Sequence, residues 1–166
     1  LTMLAEMATR RGDARTAEAR YRSELAISPR DSYLIGAYAD FLLDQKRPRE
    51  AAALLRDHRR IDALLLRYAL ALQQQPGSKD ELTAAIKELD ARFGAAMQRG
   101  DSVHQREQAR YTLHLRREAG AALALAKQNW AVQKEPADTR LVLEAALGAG
   151  DRAAAAPILQ WIEQAG

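Results

Sequence analysis

Apolar residues recur along this chain at steps of three and four positions, the spacing that places side chains on one face of an α-helix. The pattern is clearest in one set: Leu82, Ile86, Leu89, Phe93 and Met97. The sequence contains no run with the strict two-residue alternation of β-branched residues that is typical of a half-buried strand. The pattern therefore predicts an all-α protein.

Glycine, aspartate and proline mark where these helices end. Three Gly-Asp pairs combine a residue that accepts the left-handed backbone of a helix end with one that caps the next helix: Gly12-Asp13, Gly100-Asp101 and Gly150-Asp151. We expect Pro48 to lie in the first turn of a helix and Pro29 and Pro136 to end helices. These signals predict ten helices, at 1–11, 13–27, 31–45, 48–59, 61–75, 79–98, 102–117, 119–134, 138–148 and 151–165.

The small and large residues of these helices repeat. Ala17 and Ala51 lie 34 positions apart, and Tyr21 and Leu55 follow four positions after each. Near the C-terminus, Ala124, Ala131 and Pro136 fit the frame of Ala17, Tyr21 and Pro29, with Gln128 in the place of the tyrosine, if about five residues are inserted within the long helix 79–98. The sequence therefore predicts four to five helical pairs over residues 1–166 without an internal domain boundary.

This pattern resembles the tetratricopeptide repeat family, whose units are helical pairs of about 34 residues. The first unit carries the resemblance best, through a small-residue, turn, aromatic and proline pattern: Ala5, Ala8, Gly12-Asp13, Ala17, Tyr21 and Pro29. The resemblance implies a right-handed α-solenoid that binds a protein or peptide in a groove lined by the first helix of each pair. It also implies which side chains would face that groove: Tyr33, Asp40, Arg67, Gln74, Arg106, Arg110 and Arg117.

The charge of the chain leaves the nature of its ligand open. Basic residues exceed acidic ones by 25 to 22, and 20 of the basic residues are arginines. Such arginines favour carboxylate or phosphate recognition, but they are also typical of a GC-rich bacterial genome. Two clusters stand out, Arg56, Arg59, Arg60 and Arg67, and Arg106, Arg110, Arg116 and Arg117. The alternative is a solvated surface whose arginines pair with Asp57, Asp62, Glu107 and Glu118.

Side chains that would support catalysis are not grouped in the sequence. The chain has no cysteine, and its histidines His58, His104 and His114 have no metal-ligand spacing, so we interpret them as solvated surface residues. It also lacks a Gly-rich phosphate loop and a nucleophile elbow. We therefore expect a non-enzymatic chain without a cofactor or metal.

Three functional hypotheses follow. The leading one is a non-catalytic scaffold that binds a protein or peptide; the others are a module for single-stranded nucleic acid and a helical appendage of a larger enzyme. The small net charge and few aromatic residues argue against nucleic acid. No apolar stretch is long enough for membrane insertion. Because the chain starts at Leu1, we expect a fragment of a longer protein, from the bacterial envelope, periplasm or cytoplasm.

Two tryptophans, Trp130 and Trp161, fall in the second helices of predicted pairs. Residues of this kind most often lie in a core or cap the end of a helical stack. An exposed Trp161 would instead mark a surface covered by further protein.

Overall fold

The computed structural model describes residues 2–100 and 104–165, and within them all regular structure is helical, as the apolar spacing predicts. In chain order the helices are α1 (Thr2–Arg10), α2 (Ala14–Ile27), α3 (Ser32–Asp44), α4 (Pro48–Leu55), α5 (Asp62–Gln73), α6 (Lys79–Gln98), α7 (Gln105–His114), α8 (Ala119–Val132), α9 (Pro136–Ala149) and α10 (Arg152–Ala165). None of these helices is both long and apolar enough to cross a bilayer.

Two helices end three or four residues earlier than predicted. The helix expected at 48–59 stops at Leu55 and continues as a 3₁₀ turn over Arg56–His58. The helix expected at 102–117 ends at His114, so Arg117 is not helical. Gly100 has the predicted left-handed backbone (φ 68°), whereas Asp101, its expected capping partner, lies outside the described residues.

The interpretation of Pro136 as a helix stop is wrong, because this proline is the first residue of α9. Proline suits that position since it has no N–H to leave unpaired and its φ is already helical. Glu135 and Asp138 complete a capping box in which each side chain accepts a hydrogen bond from the other residue's backbone N–H. Glu-Pro-Ala-Asp therefore starts a helix here instead of ending one.

The chain divides into two compact units, Leu1–Ala91 (unit 1) and Arg92–Gly166 (unit 2), and the division falls within α6. In unit 1, α1 to α4 each pack against the helix that follows, and α3 also contacts α1 and α5. In unit 2, α7 to α10 pack in the same sequential manner, and α7 contacts α9. Within each unit, these helices therefore pack mainly against their neighbours in the chain.

The 34-residue repeat sets the packing of unit 1. Ala17 and Ala51 are completely buried, and Ala85 continues the series on α6. Four positions after each alanine lies a large buried side chain: Tyr21, Leu55 and Leu89 respectively. Alanine permits close approach of two helix backbones, and the larger residue fills the space beside the crossing.

Unit 2 buries other small residues than the ones predicted. Ala124 and Ala131, the expected small residues of α8, are both exposed. The buried face contains Ala122 and Ala126 instead, and these recur 32 positions later as Ala154 and Ile158 on α10. The predicted register fails because it equates Pro136, the first residue of α9, with Pro29, which lies in the turn before α3.

The turns of unit 1 also repeat. Gly12 and Lys46 lie 34 positions apart, and both have left-handed backbone, with φ of 74° and 59°. The next residues, Asp13 and Arg47, are the N-caps of α2 and α4. Lysine adopts this conformation less readily than glycine, so its presence indicates that the turn geometry is set by the surrounding hairpins.

Candidate functional site

Two polar cross-links join successive odd-numbered helices of unit 1. The Tyr33 hydroxyl on α3 donates to Glu6 Oε1 on α1 over 2.7 Å. Arg67 on α5 donates from Nε and Nη2 to Asp40 Oδ2 on α3, over 2.9 and 2.7 Å. Glu6 and Asp40 are 34 positions apart, as are Tyr33 and Arg67. The same helix-to-helix link is therefore made twice, with different chemistry.

Arg67 is held closely in this arrangement. Its Nη1 donates to the Ala63 carbonyl over 2.9 Å, and its side chain is 16 % exposed. The absence of a side chain at Gly36 makes room for it, since a Cβ there would lie 3.3 Å from Arg67 Nε. Gln74, the fourth predicted groove residue of this unit, is the exposed C-cap of α5.

In unit 2, Arg106 on α7 binds the start of α9. Its Nε and Nη2 donate to the carboxylate of Asp138, the latter over 2.9 Å, and Nη2 also donates to Glu135 Oε2 over 2.7 Å. Asp138 is 1 % exposed and accepts two further hydrogen bonds, from the Asn129 side chain and the Glu135 backbone N–H. Arg106 thus stabilises the junction of α7, α8 and α9.

The other two predicted groove residues of unit 2 differ in setting. Arg110 is half-buried on α7, one turn after Arg106. Arg117 is exposed and has left-handed backbone (φ 58°) in the connection to α8. The seven predicted groove residues are thus divided between the two units, and a common groove stays a prediction.

Arg59, near the α4–α5 junction, packs on an aromatic ring. The Arg59 guanidinium carbon lies 5.3 Å from the centroid of the Tyr68 ring. The Tyr68 hydroxyl donates to Glu81 Oε1 on α6. Burial, followed by the hydrogen bond to Glu81, raises the pKa of Tyr68. In the second cluster, Arg116 Nε lies 3.5 Å from Glu118 Oε1, one of the predicted carboxylate partners.

Unit 2 contains a groove between α9 and α10. It has a volume of about 500 Å³, within the range of typical ligand sites. Its lining is Lys134, Pro136, Thr139, Arg140, Leu143, Glu144, Trp161 and Ile162. The residues from α9 recur at three- and four-residue steps, so they form one stripe along that helix. Trp161 is conspicuous in the sequence, but no sequence pattern indicates the groove beside it.

Glu144, the carboxylate that lines this groove, already has two partners, Arg140 and His114. Arg140 Nε donates to Glu144 Oε1 over 2.7 Å, and His114 Nε2 lies 3.2 Å from Glu144 Oε2. The hydrogen bonds from His114 and Arg140 lower the pKa of Glu144 to about 2. His114, expected to be solvated, is therefore a half-buried partner of this carboxylate.

The two tryptophans meet beside the groove. Their rings are perpendicular, with centroids 5.8 Å apart, and the Lys134 ammonium nitrogen lies 4.6 Å from the Trp130 ring centroid. Both side chains are half-buried. This contact links the end of α8 to α10 and fixes Trp161 as one wall of the groove.

Comparison with known proteins does not assign the site. No family model, curated protein or solved structure matches the chain. Across residues 2–100 and 104–165, no group of three or more histidine, aspartate or glutamate side chains is placed to hold a metal ion. What the described residues present is a set of ion-paired helix junctions in both units and an apolar groove in unit 2.

Proposed function

We propose that this chain is a non-catalytic scaffold module of the tetratricopeptide type, which binds a protein or peptide segment on its stacked hairpins. The observation that carries the proposal is the 34-residue shift in unit 1. It relates buried Ala17 to Ala51 and also relates the Glu6–Tyr33 link to the Asp40–Arg67 link. Stacked repeats of this kind present extended surfaces on which partners bind.

The ion pairs favour this proposal over recognition of nucleic acid. Phosphate binding requires cationic side chains that can release counterions along a continuous surface. Arg67 and Arg106 are each bound to a carboxylate of a neighbouring helix. A phosphate would have to displace Asp40 or the buried Asp138, and the displacement would weaken the packing between helices.

The test is selection of short random peptides by the chain, with binding then measured by calorimetry. A single-stranded RNA homopolymer, titrated across a salt series, serves as the competing ligand. We expect a defined family of peptides to bind and the RNA to show no retention at physiological salt. RNA binding with a steep salt dependence, together with no enriched peptide, would overturn the proposal.

The predicted groove is tested with residues that are exposed enough to change without loss of the fold. Tyr33→Ala, Gln74→Ala and Arg117→Glu probe it, with Arg11→Glu as a control for a change of exposed charge. If the groove binds the peptide, the first three variants weaken binding and the control does not. Circular dichroism and thermal unfolding verify that each variant is folded.

A further inference from the structure

We propose that the groove between α9 and α10 is the peptide-docking site of unit 2, and that it takes a large apolar side chain flanked by a carboxylate. The inference rests on the proposed function and names the partner chemistry of that function. The groove residues come from the end of α8, from α9 and from α10, so unit 2 supplies the whole site.

The walls of the groove suit an apolar side chain. Pro136, Leu143, Trp161 and Ile162 provide aliphatic and aromatic surface in a space of about 500 Å³. An apolar pocket with a few polar groups at its edge is the usual form of a ligand site. The perpendicular Trp130 ring packs against Trp161, so the position of this wall is fixed before a ligand binds.

The apolar surface continues beyond the groove. Leu147, four residues after Leu143 on α9, is 84 % exposed, and Leu159, three residues before Ile162 on α10, is 50 % exposed. The helical spacing places each pair on one face of its helix. Clustered exposed apolar residues of this kind mark interaction surfaces.

Charge selects the class of peptide. Lys134 and Arg140 lie at the groove, whereas the neighbouring carboxylates Glu135 and Glu144 are bound to Arg106 and Arg140. Since Arg140 is already paired with Glu144, an incoming carboxylate would meet the Lys134 ammonium, whose acidic neighbours Glu135 and Glu144 already have cationic partners. A peptide with an aspartate or glutamate next to its apolar anchor is complementary to this edge.

The same argument disfavours a second copy of the chain as occupant. The other exposed apolar cluster is on α1, where Met3, Leu4 and Met7 project from unit 1. Exposed Arg10 and Arg11 follow that cluster directly. A second copy that bound through α1 would carry these two cations next to its apolar cluster, and like charges near Lys134 would oppose association.

The test uses peptides selected from the random library against the whole chain. Two substitutions alter the groove, Ile162→Glu and Lys134→Glu, and two controls make the same chemical change elsewhere, Ile27→Glu on α2 and Arg152→Glu on α10. All four positions are exposed, so the fold should persist, which circular dichroism checks. Fluorescence anisotropy gives the affinity, and tryptophan emission reports on the site because both tryptophans of the chain lie there.

We expect the selected peptides to combine leucine or phenylalanine with an acidic residue and to shift the tryptophan emission. Each groove variant should weaken binding by about tenfold or more, and each control by less than about twofold. Peptides that bind every variant equally would overturn the inference while leaving the proposed function in place. A library that yields no binding peptide would overturn both. Concentration-dependent association of the chain that Ile162→Glu abolishes would identify a second copy as the occupant and overturn the peptide assignment.

Discussion

Arg47 binds Glu18 through two parallel hydrogen bonds, Nη1 to Oε2 over 2.7 Å and Nη2 to Oε1 over 2.8 Å. Arg47 is the N-cap residue of α4, and Glu18 lies on α2, so this pair links the start of α4 to α2. The hydrogen bond from Arg47 is the largest influence that lowers the pKa of Glu18, which falls to about 2 from its usual value of 4.5. Charge-assisted bidentate pairs of this geometry are among the stronger ones in proteins.

The Glu18–Arg47 pair should make unit 1 sensitive to acid. Because the pKa of Glu18 is lower in the folded chain than in the unfolded one, its stabilisation is complete above about pH 5 and is lost as the pH falls towards 2. We expect Glu18→Gln to lower the free energy of unfolding at pH 7 by about 1 to 2 kcal/mol, after allowance for solvent screening. Urea unfolding at a series of pH values measures this.

Glu24→Gln, on the same helix, is the matched control for the loss of one negative charge. The wild type and the Glu18→Gln variant should converge in stability near pH 2, where Glu18 becomes protonated. A constant difference between the two across the whole pH range would show that the carboxylate charge is not the source of the stabilisation.

Asp138→Asn should destabilise unit 2 strongly. The substitution leaves the Arg106 guanidinium without its buried partner and converts an acceptor of the Asn129 amide into a mixed donor and acceptor. We expect a loss of about 2 to 4 kcal/mol in the free energy of unfolding, because breaking a buried ion pair leaves an uncompensated charge. Chemical unfolding followed by tryptophan emission reports on this unit directly.

A double-mutant cycle with Arg106→Gln separates the pair from its surroundings. The double variant should be more stable than the sum of the two single losses predicts, since it contains no unpaired buried charge. Glu163→Gln, an exposed change on α10, serves as a control and should leave stability nearly unchanged. Additive losses from Arg106 and Asp138 would contradict the direct pairing.

Ala51→Leu should disrupt the crossing of α4 with its neighbours. Ala51 is completely buried, so the three extra carbon atoms have no space, and overpacking of this kind costs about 1 to 3 kcal/mol or more. Ala53→Leu adds the same atoms to the same helix at an exposed position and should be nearly neutral. Thermal unfolding of the two variants measures the difference, and equal stability would show that small size is not required at Ala51.

Lys46→Gly should stabilise the chain. Lys46 has φ of 59°, a conformation that costs a residue with a side chain about 1 kcal/mol and that glycine adopts freely. We expect a gain of about 0.5 to 1 kcal/mol, reduced by the greater freedom of glycine in the unfolded chain. Lys87→Gly, in the middle of α6, removes the same charge and should instead destabilise by about 1 kcal/mol. We expect the urea midpoint to rise for Lys46→Gly and to fall for Lys87→Gly.

The helices of this chain follow almost entirely from local signals. The predicted span 79–98 matches α6 at both ends, and the burial of Ala17, Tyr21 and Ala51 follows from their 34-residue spacing. These features depend on residues that are close in sequence or related by the repeat. Propensity, capping and apolar spacing act over that range, so the sequence expresses them directly.

The polar junctions and the groove could not be derived in the same way. The partner of Arg106 is Asp138, which lies 32 positions later in the chain. Asp138 belongs to the first turn of α9, a helix that begins at Pro136, two residues before the predicted start. The capping pattern of Glu135 and Asp138 around a proline was a usable signal. The groove at Trp161 depends on how α9 and α10 separate along their length, and no local pattern encodes that separation.

The matched turns at Gly12 and Lys46 have a consequence for how such a chain can change its length. Excision of residues 10–43 would join Thr9 to Asp44 and bring Lys46 into the place of Gly12. It would also bring Arg67 into the place of Tyr33, opposite Glu6, so that the two side chains could form an ion pair. Deletion of any other number of residues would leave these positions without matching partners. We expect natural variants of unit 1 to differ by whole hairpins, in steps set by the geometry of one turn.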